Sequence, residues 1–149
     1  MIIYRPATAL DLPIFVSLDE ELFPYSPWSI QQYREEFAQE TRHFVVAVNQ
    51  AQAIIGYAGV FAPGTGVAAD ILTLGVIEQH RRQGIARTLM AHLTEWAGAR
   101  DASAMILEVK TENFEAIGLY ETLGYEKLNV RRDYFGSGLD AFVMRKDIT

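Results

Sequence analysis

A chain of 149 residues without cysteine rules out disulfides, thiolate nucleophiles and Cys-ligated zinc, and its length is that of one ordinary domain. Half of the residues are hydrophobic, 21% are charged, and no apolar run reaches the ~20 residues that span a bilayer, so a single domain over residues 1–149 with no membrane partner is expected. The formal net charge of −6 argues against a nucleic-acid partner, because phosphate backbones are held by clustered Lys and Arg.

The start, MIIYRPATALDL, has no basic segment, apolar core or small-residue cleavage site, which points to the cytoplasm. After a short apolar stretch at Ile2 to Tyr4, Thr8 or Asp11 can cap a helix that accepts Pro13 in its first turn and buries Ile14, Phe15, Leu18 and Leu22. FPYSPW reads as a loop. Ser29 and Gln32 form a capping-box pattern ahead of a second helix carrying Ile30, Tyr33 and Phe37. FVVAV and IIGYAGVF, separated by a polar NQAQ turn, predict a hairpin, and a further strand is expected from Asp70 to Val76.

HRRQGIA then leads into a helix with Ile85, Leu89, Leu93 and Trp96 on one face. AMILEV is a strand, Ala116, Tyr120 and Leu123 mark a short helix stopped by Gly124, and YEKLNVR and LDAFVMR close the chain as strands. The order predicts an α+β fold, a mixed, mostly antiparallel sheet of six to seven strands with about four helices. LDAFVMR is a candidate edge strand for pairing between chains, and a monomer or weak dimer is expected.

Arg81-Arg82-Gln83-Gly84-Ile85-Ala86 sits where a strand meets a helix, so unpaired backbone N–H groups and the positive end of the helix dipole converge there. Such a junction binds anions, and the small residues Gly84 and Ala86 let a pyrophosphate come close to the backbone. The same six residues are also compatible with a tight turn beside a solvated basic patch. A P-loop is excluded because no Lys-Ser or Lys-Thr follows the glycine, and GTGVAA lacks the third glycine of a dinucleotide fingerprint.

Arg81, Gly84 and Ala86 resemble the coenzyme A loop of the GNAT acetyltransferases, and the resemblance extends through ILTLGV before the loop and LEVKTENFEAIGLYETLGY after it. Within that family the chain is similar to the RimI type of protein N-terminal acetyltransferase, through FPYSPWS, the LEV and Asn113 to Tyr125 block, RRDYF and DAFVM. It departs from the pattern at Ala86, where a second glycine is commoner, and at Phe135, where RimI-like chains often carry tyrosine.

The resemblance implies acetyl-CoA as co-substrate, with no metal. Its holding residues would be Leu74, Gly75 and Val76 on the strand, the run Arg81, Arg82, Gln83, Gly84, Ile85, Ala86 and Arg87, then Asn113 and Tyr120. The strand from Leu72 to Val76 would pair with the pantetheine arm, and a backbone N–H near Val76 would face the thioester oxygen. An Asx turn or a cap on the helix that follows is the alternative role for Asn113. The resemblance makes Glu108 the general base, acting through water, and Tyr120 the general acid towards the leaving sulfur. Read without the resemblance, Glu108 ends a partly apolar strand face with Ala104 and Ile106, where an acid is unusual though compatible with a solvated strand-end charge, and Tyr120 fits core packing on a helical stripe.

A neutral amine is required for attack. With reference pKa values near 8 and 10.4, roughly a tenth of α-amino groups but under about a thousandth of lysines are unprotonated at neutral pH, so a protein N-terminus is the easier nucleophile. Glu108 and Asp140 are candidates to hold the cationic form. Tyr25, Trp28 and Tyr134 are candidates to touch the first residues of a peptide, by the same resemblance, or to pack as lid and core. The implied partner is a protein or peptide N-terminus such as that of a small-subunit ribosomal protein. A small-molecule amine acceptor and a non-catalytic acyl-CoA-binding module stand as alternatives. His43, His80 and His92 have no metal-binding spacing.

Overall fold

A computed structural model describes all residues, Met1–Thr149. Seven strands form one sheet: β1 (Ile3–Pro6), β2 (Arg42–Val48), β3 (Ile54–Phe61), β4 (Ala69–Val76), β5 (Ala104–Lys110), β6 (Glu126–Arg131) and β7 (Ala141–Asp147). Their spatial order is β1-β2-β3-β4-β5-β7-β6, and every neighbouring pair is antiparallel except β4–β5. Four α-helices complete the α+β architecture: α1 (Leu12–Leu22), α2 (Ile30–Phe37), α3 (Ile85–Ala99) and α4 (Phe114–Thr122). None is long and apolar enough to cross a membrane.

The unbroken apolar run of β2 is explained by burial on both faces of the sheet. Phe44, Val46 and Val48 join α1 and α2 in one core, whereas Val45 and Ala47 join α3 and α4 in the other. The Ser29/Gln32 capping box forms as expected, Gln32 N donating to Ser29 Oγ at 3.1 Å and Ser29 N to Gln32 Oε1 at 2.8 Å. Gly124, at φ +97°, takes the left-handed conformation that ends α4.

Two expectations are corrected. Ile14 is 44% exposed, because the buried stripe of α1 runs through Leu12, Phe15, Leu18 and Asp19, and Ile14 lies about 100° around the helix from Phe15. LDAFVMR is no edge strand: β7 lies between β5 and β6, and β6, exposed at every residue, forms the edge.

The feature that makes the site is a split in the sheet. β4 and β5 pair only at Ala69–Met105 and Asp70–Ile106, and beyond Asp70 they diverge. Leu72 is the extra residue of a bulge in β4, opposite the step from Gly59 to Val60, and such a bulge bends a strand.

Candidate active site

The divergence opens a cleft of about 1060 Å³ lined by β4, β5, the start of α3, α4 and the loop before α2. On its β4 side, register decides which backbone groups are available. Ile77 N donates to Ile55 O at 3.0 Å, so in the antiparallel alternation Gly75 and Thr73 turn their polar groups towards β3 while Leu74 and Val76 turn theirs to the open edge. The Val76 carbonyl is met there by Arg81 Nε at 3.2 Å, which ties the loop to the end of the strand.

Arg82 (φ +64°) and Gly84 (φ +78°) both take left-handed backbone conformations, and α3 begins directly after them. Nothing in the chain accepts from the backbone N–H groups of residues 82 to 87. Six donors at a helix N-terminus, with the Arg81 and Arg82 side chains beside them, form a cradle for a phosphate-like anion. An added Cβ on Gly84 would meet no atom within 4 Å, so the space in front of the loop is open. Gly75 is different: a Cβ there would fall 2.7 Å from the Tyr57 ring. Arg87, expected to face the cofactor, is tied to α4 through a 3.0 Å bond from Nη2 to Thr122 Oγ1 while still lining the cleft.

Glu108 and Tyr120 reach this cleft from opposite faces of the sheet. In β5, Met105, Leu107 and Val109 point into the α3–α4 core, so Ile106, Glu108 and Lys110 face the other way. The Glu108 side chain is 18% exposed and has a single cationic neighbour, Arg131 Nη1 at 3.7 Å from Oε1. Burial, reinforced by the negative charge of Asp70, pushes its carboxyl above the usual range, against the pull of Arg131. Asp70 is itself raised by burial. The local sequence marks neither Asp70 nor Arg131 as a site residue, although Arg131 opens the RRDYF motif. Asp70 is the only charged residue of β4, which is the one local sign it offers.

Tyr120 is 8% exposed, belongs to the α3–α4 core, and its hydroxyl makes no hydrogen bond within the chain. Burial, with smaller contributions from Tyr125 and Tyr25, raises its pKa well above the ordinary phenol value, so it stays protonated. Asn113 caps α4, its Oδ1 accepting from Ala116 N at 3.2 Å, which leaves its amide NH₂ for the cleft it lines.

On the side of the cleft expected to take the acceptor, two loops meet. The Tyr25 ring packs edge-on against Phe135 at 5.4 Å between centroids, with Lys110 Nζ over Tyr25 at 4.4 Å. Tyr134 stands beside Phe135 at 4.8 Å and carries Arg131 over its ring at 4.5 Å. Trp28 lines the cleft and packs against Tyr33 at 4.9 Å. Asp140 is not among the lining residues: its Oδ1 accepts from Asp133 N at 2.9 Å and shapes the turn between β6 and β7. Asp19, also unforeseen, is a buried carboxylate on α1 that reaches the cleft wall.

Comparison with known proteins fits this geometry. Residues 13–125 match the model of the Acetyltransferase (GNAT) family. The N-alpha-acetyltransferase RimI of Mycobacterium tuberculosis is 31% identical over 94% of this chain and 89% of its own length. An uncharacterised protein of Mycobacterium leprae is also 31% identical, over 98% of this chain, but the chain spans only 41% of that relative's length. Among solved structures, the ribosomal-protein-S18-alanine N-acetyltransferase of Escherichia coli superposes with a TM-score of 0.84 at 25% identity, covering 100% of this chain and 95% of the other. Arabidopsis thaliana NAA60 in complex with acetyl-CoA shares the fold, with a TM-score of 0.88 at 20% identity over 99% of each chain. With a split β4–β5 sheet, an open donor loop and a family match across most of its length, the chain belongs to the GNAT acetyltransferase family.

Proposed function

We propose that this enzyme transfers the acetyl group of acetyl-CoA directly to the N-terminal α-amine of a protein, as its RimI relatives are named for doing. The observation that carries this reading is the single cleft through the sheet, with the Glu108 carboxylate entering it from one face and the protonated Tyr120 phenol from the other. The six free N–H groups after Arg81 are suited to the pyrophosphate, and the open edge at Leu74 and Val76 together with the Asn113 amide is suited to the peptide-like pantetheine. The thioester supplies the activated acetyl carbon.

Glu108 removes a proton from the incoming ammonium through water, and its raised pKa narrows the gap to the amine it serves. A backbone N–H on the open edge of β4 bonds the developing oxyanion. Attack by the neutral nitrogen forms the C–N bond; as the C–S bond breaks Tyr120 donates its proton to the departing sulfur, and the second proton lost from nitrogen restores Tyr120 through water. Tyr25, Trp28 and Tyr134 bound the space for the first acceptor residues. A ribosomal protein N-terminus is the favoured acceptor and the cytoplasm the favoured site of action.

The test is coenzyme A release from acetyl-CoA with a peptide copied from the start of the S18 ribosomal protein, the same peptide N-terminally blocked, and a panel of small amines. Release with the free peptide alone is expected. Release confined to small amines would leave the family assignment standing and remove the protein acceptor.

A further inference from the structure

Asp19 is 2% exposed, yet it has no cationic partner. A carboxylate buried in this way is destabilising unless hydrogen bonds replace its water. It accepts three. Trp28 N donates to Oδ2 at 3.0 Å, Tyr33 Oη to Oδ2 at 2.8 Å and Tyr57 Oη to Oδ1 at 2.6 Å. Burial raises its pKa while these donors oppose the rise, and both phenols are held protonated beside it.

The three donors sit on three separate elements. Trp28 belongs to the loop that presents Tyr25 to the cleft, Tyr33 to α2, and Tyr57 to β3. The Tyr57 ring lies directly against Gly75, on the stretch of β4 whose neighbours Leu74 and Val76 face the open edge. The Thr73 side chain of the same stretch sits beside both phenols. One carboxylate therefore joins the Trp28 loop and α2 to β3, and reaches β4 through the Tyr57 ring packed on Gly75.

We propose that Asp19 is a positioning residue for the acceptor: it fixes the Phe23–Trp28 loop against β4, so that the acceptor nitrogen is delivered to the acetyl carbon in register. This rests on the proposed transferase reading but assigns a role that the reading does not contain. Asp19→Ala removes all three acceptor sites. Asp19→Asn retains them in modified form, its Oδ1 accepting from Trp28 N and Tyr33 Oη and its NH₂ donating to a rotated Tyr57 hydroxyl.

The experiment measures acceptor KM, kcat, acetyl-CoA affinity and Tm for the full chain, with the free S18 peptide as acceptor. Asp19→Ala is expected to raise acceptor KM about tenfold, with acetyl-CoA affinity within about threefold of the parent, and Asp19→Asn to restore most of the loss. A lower Tm with unchanged acceptor KM, or equal losses for both substrates, overturns the proposal, since a merely structural residue gives those results. If Asp19→Ala does not fold, Tyr33→Phe combined with Tyr57→Phe removes two of the three donors and keeps both rings. The same rise in acceptor KM is expected, and an unchanged KM overturns the proposal. Failure of the parent enzyme to use the peptide refutes the N-terminal reading instead. The variants are then compared on whichever amine the parent acetylates, and an unchanged KM for that amine again overturns the role of Asp19.

Discussion

One wall of the cleft comes from a single stretch of chain and the other from scattered pieces. Val76 through Arg87 closes the end of β4, turns through two left-handed residues and opens α3, so the donor cradle is complete within a dozen positions. The opposite wall takes Asp70 from β4, Glu108 from β5, Arg131 from β6 and Tyr134 from the following turn, and these meet only because the sheet orders β7 and β6 beyond β5. The local wall works through backbone geometry, which is insensitive to pH. The assembled wall works through charges whose protonation depends on burial and on one another.

The largest expected effect follows from breaking the assembled wall. Glu108→Gln removes the proposed base and should lower kcat/KM for the peptide by about 10² to 10³, with acetyl-CoA affinity preserved. Tyr120→Phe should lower kcat by a smaller factor, because a thiolate is stable enough to depart without full protonation. In the parent enzyme kcat/KM should rise with pH as Glu108 loses its proton, at a pH above the ordinary carboxylate range because burial and Asp70 hold the proton on. That acidic limb should be absent in Glu108→Gln. An unchanged limb in the variant would take the base role from Glu108.

The local wall predicts a different pattern. Gly84 has φ +78°, and a side chain there meets no neighbour, so Gly84→Val is penalised by backbone conformation, about 1 to 2 kcal/mol, rather than by collision. The added branch also fills the open space in front of the free N–H groups. Acetyl-CoA affinity should fall about tenfold, measured by calorimetry, while the pH dependence of turnover at saturating acetyl-CoA stays that of the parent. A variant that shifts the acidic limb instead would show that the two walls are not separable.

The same contrast explains what could be read from the sequence. The Ser29/Gln32 box, the Arg81–Ala86 loop and the helix ending at Gly124 are local devices, and each forms where its residues occur. Glu108 is marked in the sequence as an acidic residue on a partly apolar strand face, Tyr120 only by the family block around it, and the cleft contains both. Asp19 lies in SLDEEL beside Glu20 and Glu21, so it reads as part of a solvated acidic face until Tyr57, 38 residues away, folds over it. Asp70 acts on Glu108 across the split, a relation that no local pattern encodes. Ile14 failed for a narrower reason: a helix with a partly polar buried stripe leaves its phase ambiguous by one residue.

The smallest expected effect lies far from the cleft and tests whether pH acts on the assembled wall or on the fold at large. His43 of β2 stacks on Trp96 of α3, with centroids 5.0 Å apart and planes 8° from parallel, while Arg100 lies over the same indole at 5.0 Å. Burial, and secondarily His92, lowers the His43 pKa below its ordinary value of 6.5. Between that folded value and 6.5 the unfolded chain binds more protons than the folded one, so stability rises with pH across this window. The contribution is therefore complete above about pH 6.5 and is lost as pH falls through the folded pKa. His43→Phe keeps an aromatic ring on Trp96 and cannot titrate. Its Tm should decline less than that of the parent between neutral and mildly acidic pH, whatever its absolute stability. Equal declines would mean that the protonated imidazole is accommodated on Trp96 without loss. The Glu108 limb should stay in place in this variant, because the two groups lie on different parts of the sheet and share no titratable neighbour.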